Sequence, residues 1–79
     1  MTISDTVLLG ALHDAASAVR SALDGLTDWG TAGTRAGQYK SDLVADEAAV
    51  AILVAAGTGV LSEESGAHDP GRDVVVVLD

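Results

Sequence analysis

The sequence contains no cysteine and no phenylalanine, and its aromatic content is one Trp and one Tyr. Without cysteine there is neither a disulfide framework nor a thiolate metal site, two usual reinforcements of a very small domain. Basic residues are also scarce: 4 Lys and Arg stand against 12 Asp and Glu, for a formal charge of -8. This balance argues against nucleic acid as a partner, because phosphate neutralisation needs clustered Lys and Arg. It argues equally against an anionic membrane surface. No apolar run approaches the roughly 18 residues of a membrane span. The opening Met1-Thr-Ile-Ser-Asp5 has no basic region leading into an apolar stretch, so a signal peptide is not expected. A soluble cytoplasmic protein is the expectation.

What is present is apolar and aliphatic. Ala, Val and Leu carry most of the 48% hydrophobic content, too much for a disordered acidic tail. At 79 residues the expectation is one small domain, residues 1–79. A chain of this size buries only about 60% of its unfolded surface, which makes stability marginal. Acidic clusters in such a chain suit divalent cations, and a cation can in turn recruit an anionic substrate.

Taken in order, Ser4 or Asp5 can cap a first helix, with the acid near its positive end. Leu8, Ala11, Leu12, Ala15, Val19, Ala22, Leu23 and Leu26 recur at helical spacing, and Gly25 and Gly30 bracket an end near Thr27. Residues 28–41 lose all periodicity and carry Gly30, Gly33 and Gly37, which predicts an exposed loop with Trp29 as a packing anchor. Neither a dinucleotide fingerprint nor a P-loop is present in it.

A second helix is expected from a Ser41 or Asp42 cap to Gly57, with Asp46 and Glu47 in its first turn. Its run Ala48-Ala-Val-Ala-Ile-Leu-Val54 is apolar nearly all round, the pattern of a helix packed between layers. Two short strands follow, Gly59 to Ser62 and Val74 to Leu78. Four consecutive valines show no alternation, so the second strand is expected to be covered on both faces. Between the strands, 67–73 reads as a turn-rich connection.

Chemistry would sit at the ends of those strands. Glu63 and Glu64 follow the first strand, where neighbouring side chains are expected to point in opposite directions. Asp79 ends the second, and carboxylates beyond strand ends are where α/β folds bind ligands. His13 and His68 have no second His at helical spacing and no Cys, so neither is expected to hold a metal.

Three segments together resemble the inositol monophosphatase family. Leu61-Ser-Glu-Glu-Ser-Gly66 and then Val74-Val-Val-Val-Leu-Asp79 resemble its G/S-E-E-S segment and the apolar strand that runs into D-P-x-D-G-[ST]-T. Tyr39-Lys-Ser-Asp42-Leu-Val-Ala-Asp46-Glu47-Ala48 resembles its helix opening T-x-A-D-x-x-A-E. The resemblance covers about half the chain, residues 38–79. It implies an α/β fold, the amino-terminal part of an αβαβα sandwich. It also implies Mg²⁺-dependent hydrolysis of a small phosphorylated substrate, such as an inositol phosphate or histidinol phosphate.

By that resemblance Glu63 and Asp79 are metal ligands and Asp42 helps activate the attacking water, with Asp46 a rival for that role. Both acids also fit simple helix capping. Gln38-Tyr39 replaces the family's Val-Thr, and neither Arg35 nor Lys40 matches the family's loop lysine. Asp79 coincides with the first Asp of the D-P-x-D-G motif, so the chain is expected to be a single incomplete domain without turnover of its own. A homodimer is compatible with this reading. The alternative is a non-catalytic acidic interaction protein that docks through its apolar helices and strand edge.

Overall fold

The computed structural model describes residues 3–26 and 39–79. Ser4 caps helix α1 (Asp5–Asp24): its Oγ accepts the Val7 N–H at 3.2 Å, and Asp5 lies in the first turn. The helix stops at Gly25, short of the expected Thr27, and the Gly25 N–H bonds back to the Ser21 carbonyl at 3.3 Å. The stretch 27–38, with Trp29, Arg35 and the Gly-rich loop, lies outside the described residues.

Helix α2 (Lys40–Ala55) starts two residues earlier than Asp42. Tyr39 occupies the N-cap position, and Asp42 sits in the first turn, where its Oδ2 accepts the Tyr39 N–H at 3.2 Å. Asp42 therefore caps from within the helix, as the acid of a capping box does. This displaces Asp46 and Glu47 to the second turn, out of reach of the free amide groups at the helix start. The first-turn expectation for those two acids is corrected accordingly.

The architecture is a small α+β fold, two helices followed by a three-stranded mixed sheet. Strands β1 (Gly59–Ser62), β2 (Gly66–His68) and β3 (Val75–Leu78) are arranged in the order β2-β1-β3. β1 pairs with β2 antiparallel, Ser62 opposite Gly66, and with β3 parallel, Val60 opposite Val76. β2 was not expected. It is three residues long and immediately follows the turn at Glu63-Glu64-Ser65, and Gly66 takes the positive φ that this tight hairpin requires.

The core lies between the helices and one face of the sheet. Ala11 and Ala15 of α1, Ala49 and Leu53 of α2 and Val60 of β1 form one buried cluster, with Val76 and Leu78 packed on its margin. Alanines let the two helices approach closely, and Leu53 and Val60, at 1% and 0% exposure, fill the centre. Fully burying one such side chain is worth about 1.5–3 kcal/mol. Leu12 falls outside this cluster and is exposed, because the buried stripe of α1 is narrower than its apolar periodicity.

The four valines are likewise covered on one side only. Val77 is 68% exposed, beside Leu61 at 43%, since both helices lie on the other face. Among the described residues no helix is long and apolar enough to cross a membrane.

The chain leaves α2 through a tightly bonded junction. The Leu53 carbonyl accepts both the N–H and the Oγ1 of Thr58, at 3.1 and 2.9 Å. Arg72 donates to the Val54 carbonyl at 2.6 Å and to the Thr58 carbonyl at 3.0 Å. At Gly59 the β2–β3 connection passes so close that a Cβ would press into the Asp69 carbonyl oxygen and lie 3.2 Å from that of His68.

We therefore expect Gly59→Ala to lower unfolding stability by about 1–3 kcal/mol through steric overlap with backbone. Gly10→Ala, in open space on α1, should raise stability by about 0.5–1 kcal/mol. Urea titration of both variants measures the two signs.

Candidate functional site

β1 ends in a serine that organises everything around it. Ser62 Oγ accepts the N–H groups of Glu64 at 3.0 Å and Ser65 at 3.2 Å, and it donates to Asp46 Oδ1 on α2. One hydroxyl offers one donor and two acceptor positions, and here all three are used. The buried Ser62 thus fixes the Glu63-Glu64 turn to the second turn of the helix. Sequence reasoning passed over Ser62 as a strand end. The available signal was a Ser two and three residues ahead of turn amides, a common local side-chain-to-backbone pattern.

The hairpin turn also decides where the glutamates go. On an extended strand Glu63 and Glu64 would point to opposite sides, but they sit on a turn, and both line the same cleft. That cleft, of about 210 Å³, opens at the carboxyl ends of the parallel pair β1 and β3. Asp42 and Asp46 from α2, Glu63 and Glu64 from the turn, and Asp79 just after β3 form its acidic wall. Val19, Ala45, Ala49 and Leu78 form its apolar floor. The three residues singled out from sequence, Asp42, Glu63 and Asp79, therefore line one cleft from three separate elements.

Their circumstances differ. Asp42 already serves as the capping acid for Tyr39, and Asp46 is engaged by Ser62 and caps nothing. Glu63 and Asp79 are exposed, whereas Glu64 is half-buried. The Glu63 N–H donates to the Leu78 carbonyl at 3.0 Å, which holds the turn beside the end of β3.

For a divalent cation such as Mg²⁺ the donor type fits: a wall of hard carboxylate oxygens at strand ends. The spacing does not yet close around one. Among the described residues no three His, Asp or Glu side chains come together as a ligand set. Mg²⁺ asks for six oxygens in near-octahedral geometry, so waters or further groups would have to complete the shell. The volume is also below the roughly 300 Å³ at which ordinary small-molecule pockets begin. The cleft has room for an ion with its waters.

The two histidines stand apart from the cleft. His13 is exposed on α1, and His68 ends β2, where its Nε2 lies 2.7 Å from Ser65 Oγ. No protein-family model, no curated protein and no solved structure matches the chain.

Removing the hydroxyl that centres this site should be costly. Ser62→Ala leaves Asp46 and two turn amides without their partner, and we expect a loss of about 1–3 kcal/mol. Faster amide exchange should be confined mainly to Glu64 and Ser65. Asp46→Asn keeps an acceptor oxygen and should cost less. Equal stability and unchanged exchange in Ser62→Ala would refute the role given to Ser62.

Proposed function

We propose that this chain supplies the carboxylate wall of a Mg²⁺-dependent phosphatase site acting on a small phosphate monoester, in the manner of an inositol monophosphatase. The 79 residues on their own have no useful turnover in this reading. The observation that supports it is the convergence of Asp42, Glu63 and Asp79 on one cleft at the ends of two parallel strands. Cytoplasmic location and the layered αβαβα sandwich belong to the same reading.

The roles are those that the family resemblance implies. Glu63 and Asp79 would hold the cation, since both are exposed carboxylates flanking the Glu63–Leu78 backbone bond. Mg²⁺, when bound, supplies positive charge against the phosphate and lowers the pKa of a bound water. Asp42 would accept the proton of the attacking water. Its Oδ2 is engaged by Tyr39, so Oδ1 is the accepting oxygen. Asp46, held by Ser62, is assigned to positioning the turn that carries Glu63.

Magnesium titration of the wild-type chain tests this without an activity assay. With a dissociation constant near 1 mM, 10 mM Mg²⁺ should stabilise the fold by roughly 1.4 kcal/mol. Glu63→Gln and Asp79→Asn should each remove most of that gain, whereas Glu47→Gln, on an exposed residue outside the cleft lining, should keep it. In any longer product of the same gene, Glu63→Gln should abolish Mg²⁺-dependent phosphate release. Full turnover in that variant would overturn the proposal.

A further inference from the structure

The sequence holds one proline, Pro70, and the residue before it is an aspartate. Among the described residues Asp69 is also the non-glycine residue with a positive φ, at 46°. That combination is strained on two counts. A side chain at positive φ crowds its own backbone, which is why glycine usually fills such positions. The residue before a proline is in addition pushed toward extended backbone at negative φ, because the ring Cδ crowds it. Residues in such sparsely populated conformations persist only where the surrounding structure imposes them.

The surroundings here do impose it. Asp69 opens a β-turn, Asp69-Pro70-Gly71-Arg72, in which the Arg72 N–H donates to the Asp69 carbonyl at 3.2 Å. The same carbonyl oxygen sits against Gly59, where a Cβ would collide with it. It belongs to the Asp69–Pro70 peptide bond, so that bond is held in place and its carbonyl is polarised by a donor aimed at the oxygen. The Asp69 carboxylate is drawn to the same turn, its Oδ2 lying 3.4 Å from Arg72 Nη2. Arg72 is itself anchored on the Val54 and Thr58 carbonyls through Nη1. Asp69 and Pro70 are both exposed, so water reaches the bond.

We propose that the strained Asp69–Pro70 bond is a self-cleavage site. A carboxylate oxygen of Asp69 attacks the carbonyl carbon of the same residue, and the C–O bond formed closes a cyclic anhydride. The oxyanion that develops meets the Arg72 N–H. The C–N bond then breaks, and the Pro70 nitrogen leaves with the electron pair and takes a proton from solvent water. The hydroxide left behind opens the anhydride, so one water is consumed overall and the chain ends at Asp69 with two carboxylates. Proline suits this step because its nitrogen carries no hydrogen, which closes the competing route of backbone N–H attack on the side-chain carboxyl. Scission places Arg72, β3 and Asp79 on fragment 70–79, so the cleft loses its Asp79 wall when that fragment leaves. The inference does not rest on the phosphatase reading, because Asp69 does not line the acidic cleft.

Intact-mass spectrometry of the 79-residue chain, held in mildly acidic buffer, follows the reaction. Fragments 1–69 and 70–79 should grow together, their masses summing to that of the parent plus one water. The native chain should react at least about fivefold faster than a blocked peptide of residues 67–73, which carries the bond without the strain. Hydroxylamine should trap the anhydride as a hydroxamate on fragment 1–69.

Asp69→Asn removes the nucleophile, and asparagine tolerates a positive φ, so the turn should survive while scission slows roughly tenfold or more. Asp69→Glu keeps the charge but enlarges the ring that must close, and it should slow scission comparably. Circular dichroism verifies that both variants fold. No scission of the native chain, a rate no higher than the peptide's, or unchanged scission in Asp69→Asn overturns the proposal.

Discussion

The carboxyl end of α2 is the constraint on which the rest of the molecule depends. A helix ends with four carbonyls that no helical amide can satisfy, and here the chain must turn at once into the central strand. Thr58 meets that demand twice over at the Leu53 carbonyl and is itself completely buried. Arg72 then ties the connection that precedes β3 to the carbonyls of Val54 and Thr58. A cation at this end also complements the helix dipole. The same guanidinium approaches Asp69 at 3.4 Å, but both side chains are well exposed, so this pair contributes little beside the carbonyl bonds. Once β1 is anchored here, the Gly59–Asp69 approach fixes the spacing of the strands, and their far ends form the acidic cleft.

At that far end a single hydroxyl performs the complementary task. The junction at Thr58 sets where β1 begins relative to α2, and Ser62 sets where it stops, four residues later. Between them lie Val60, wholly buried, and Leu61, facing out. A strand this short has few ladder bonds, so its direction is governed by these two side-chain anchors as much as by its neighbours. The cleft inherits this rigidity on one wall. Asp46 and the Glu63-Glu64 turn are locked together through Ser62, whereas Asp79 follows the end of an edge strand.

The helices were legible because their signals are local. Ser4 ahead of an apolar period of 3.6, and Gly57 after the Ala-rich run, mark elements without reference to anything distant. Glu63, Glu64 and Asp79 were legible as strand-end carboxylates, whereas Asp42 and Asp46 lie on α2 and were singled out through the family resemblance. What escaped was short or long-range. β2 is Gly66-Ala-His68, too brief for any alternation to register. Asp46 and Ser62 are 16 residues apart, and Arg72 reaches a carbonyl 18 residues back. No periodicity encodes such pairs. The expectation of a doubly covered valine strand failed because continuous apolarity reports what a strand tolerates on each face. It does not report how many layers the chain supplies.

The acidic wall then constrains what the molecule can hold. Five carboxylates line a cleft of about 210 Å³, and among the described residues no basic side chain lines it with them. Two unit charges some 6 Å apart repel by roughly 0.7 kcal/mol in water and about 3 kcal/mol at an effective dielectric of 20. Any bound positive charge is favoured by that repulsion, whether a hydrated cation or a basic side chain. Asp79 lines the cleft directly after the end of β3.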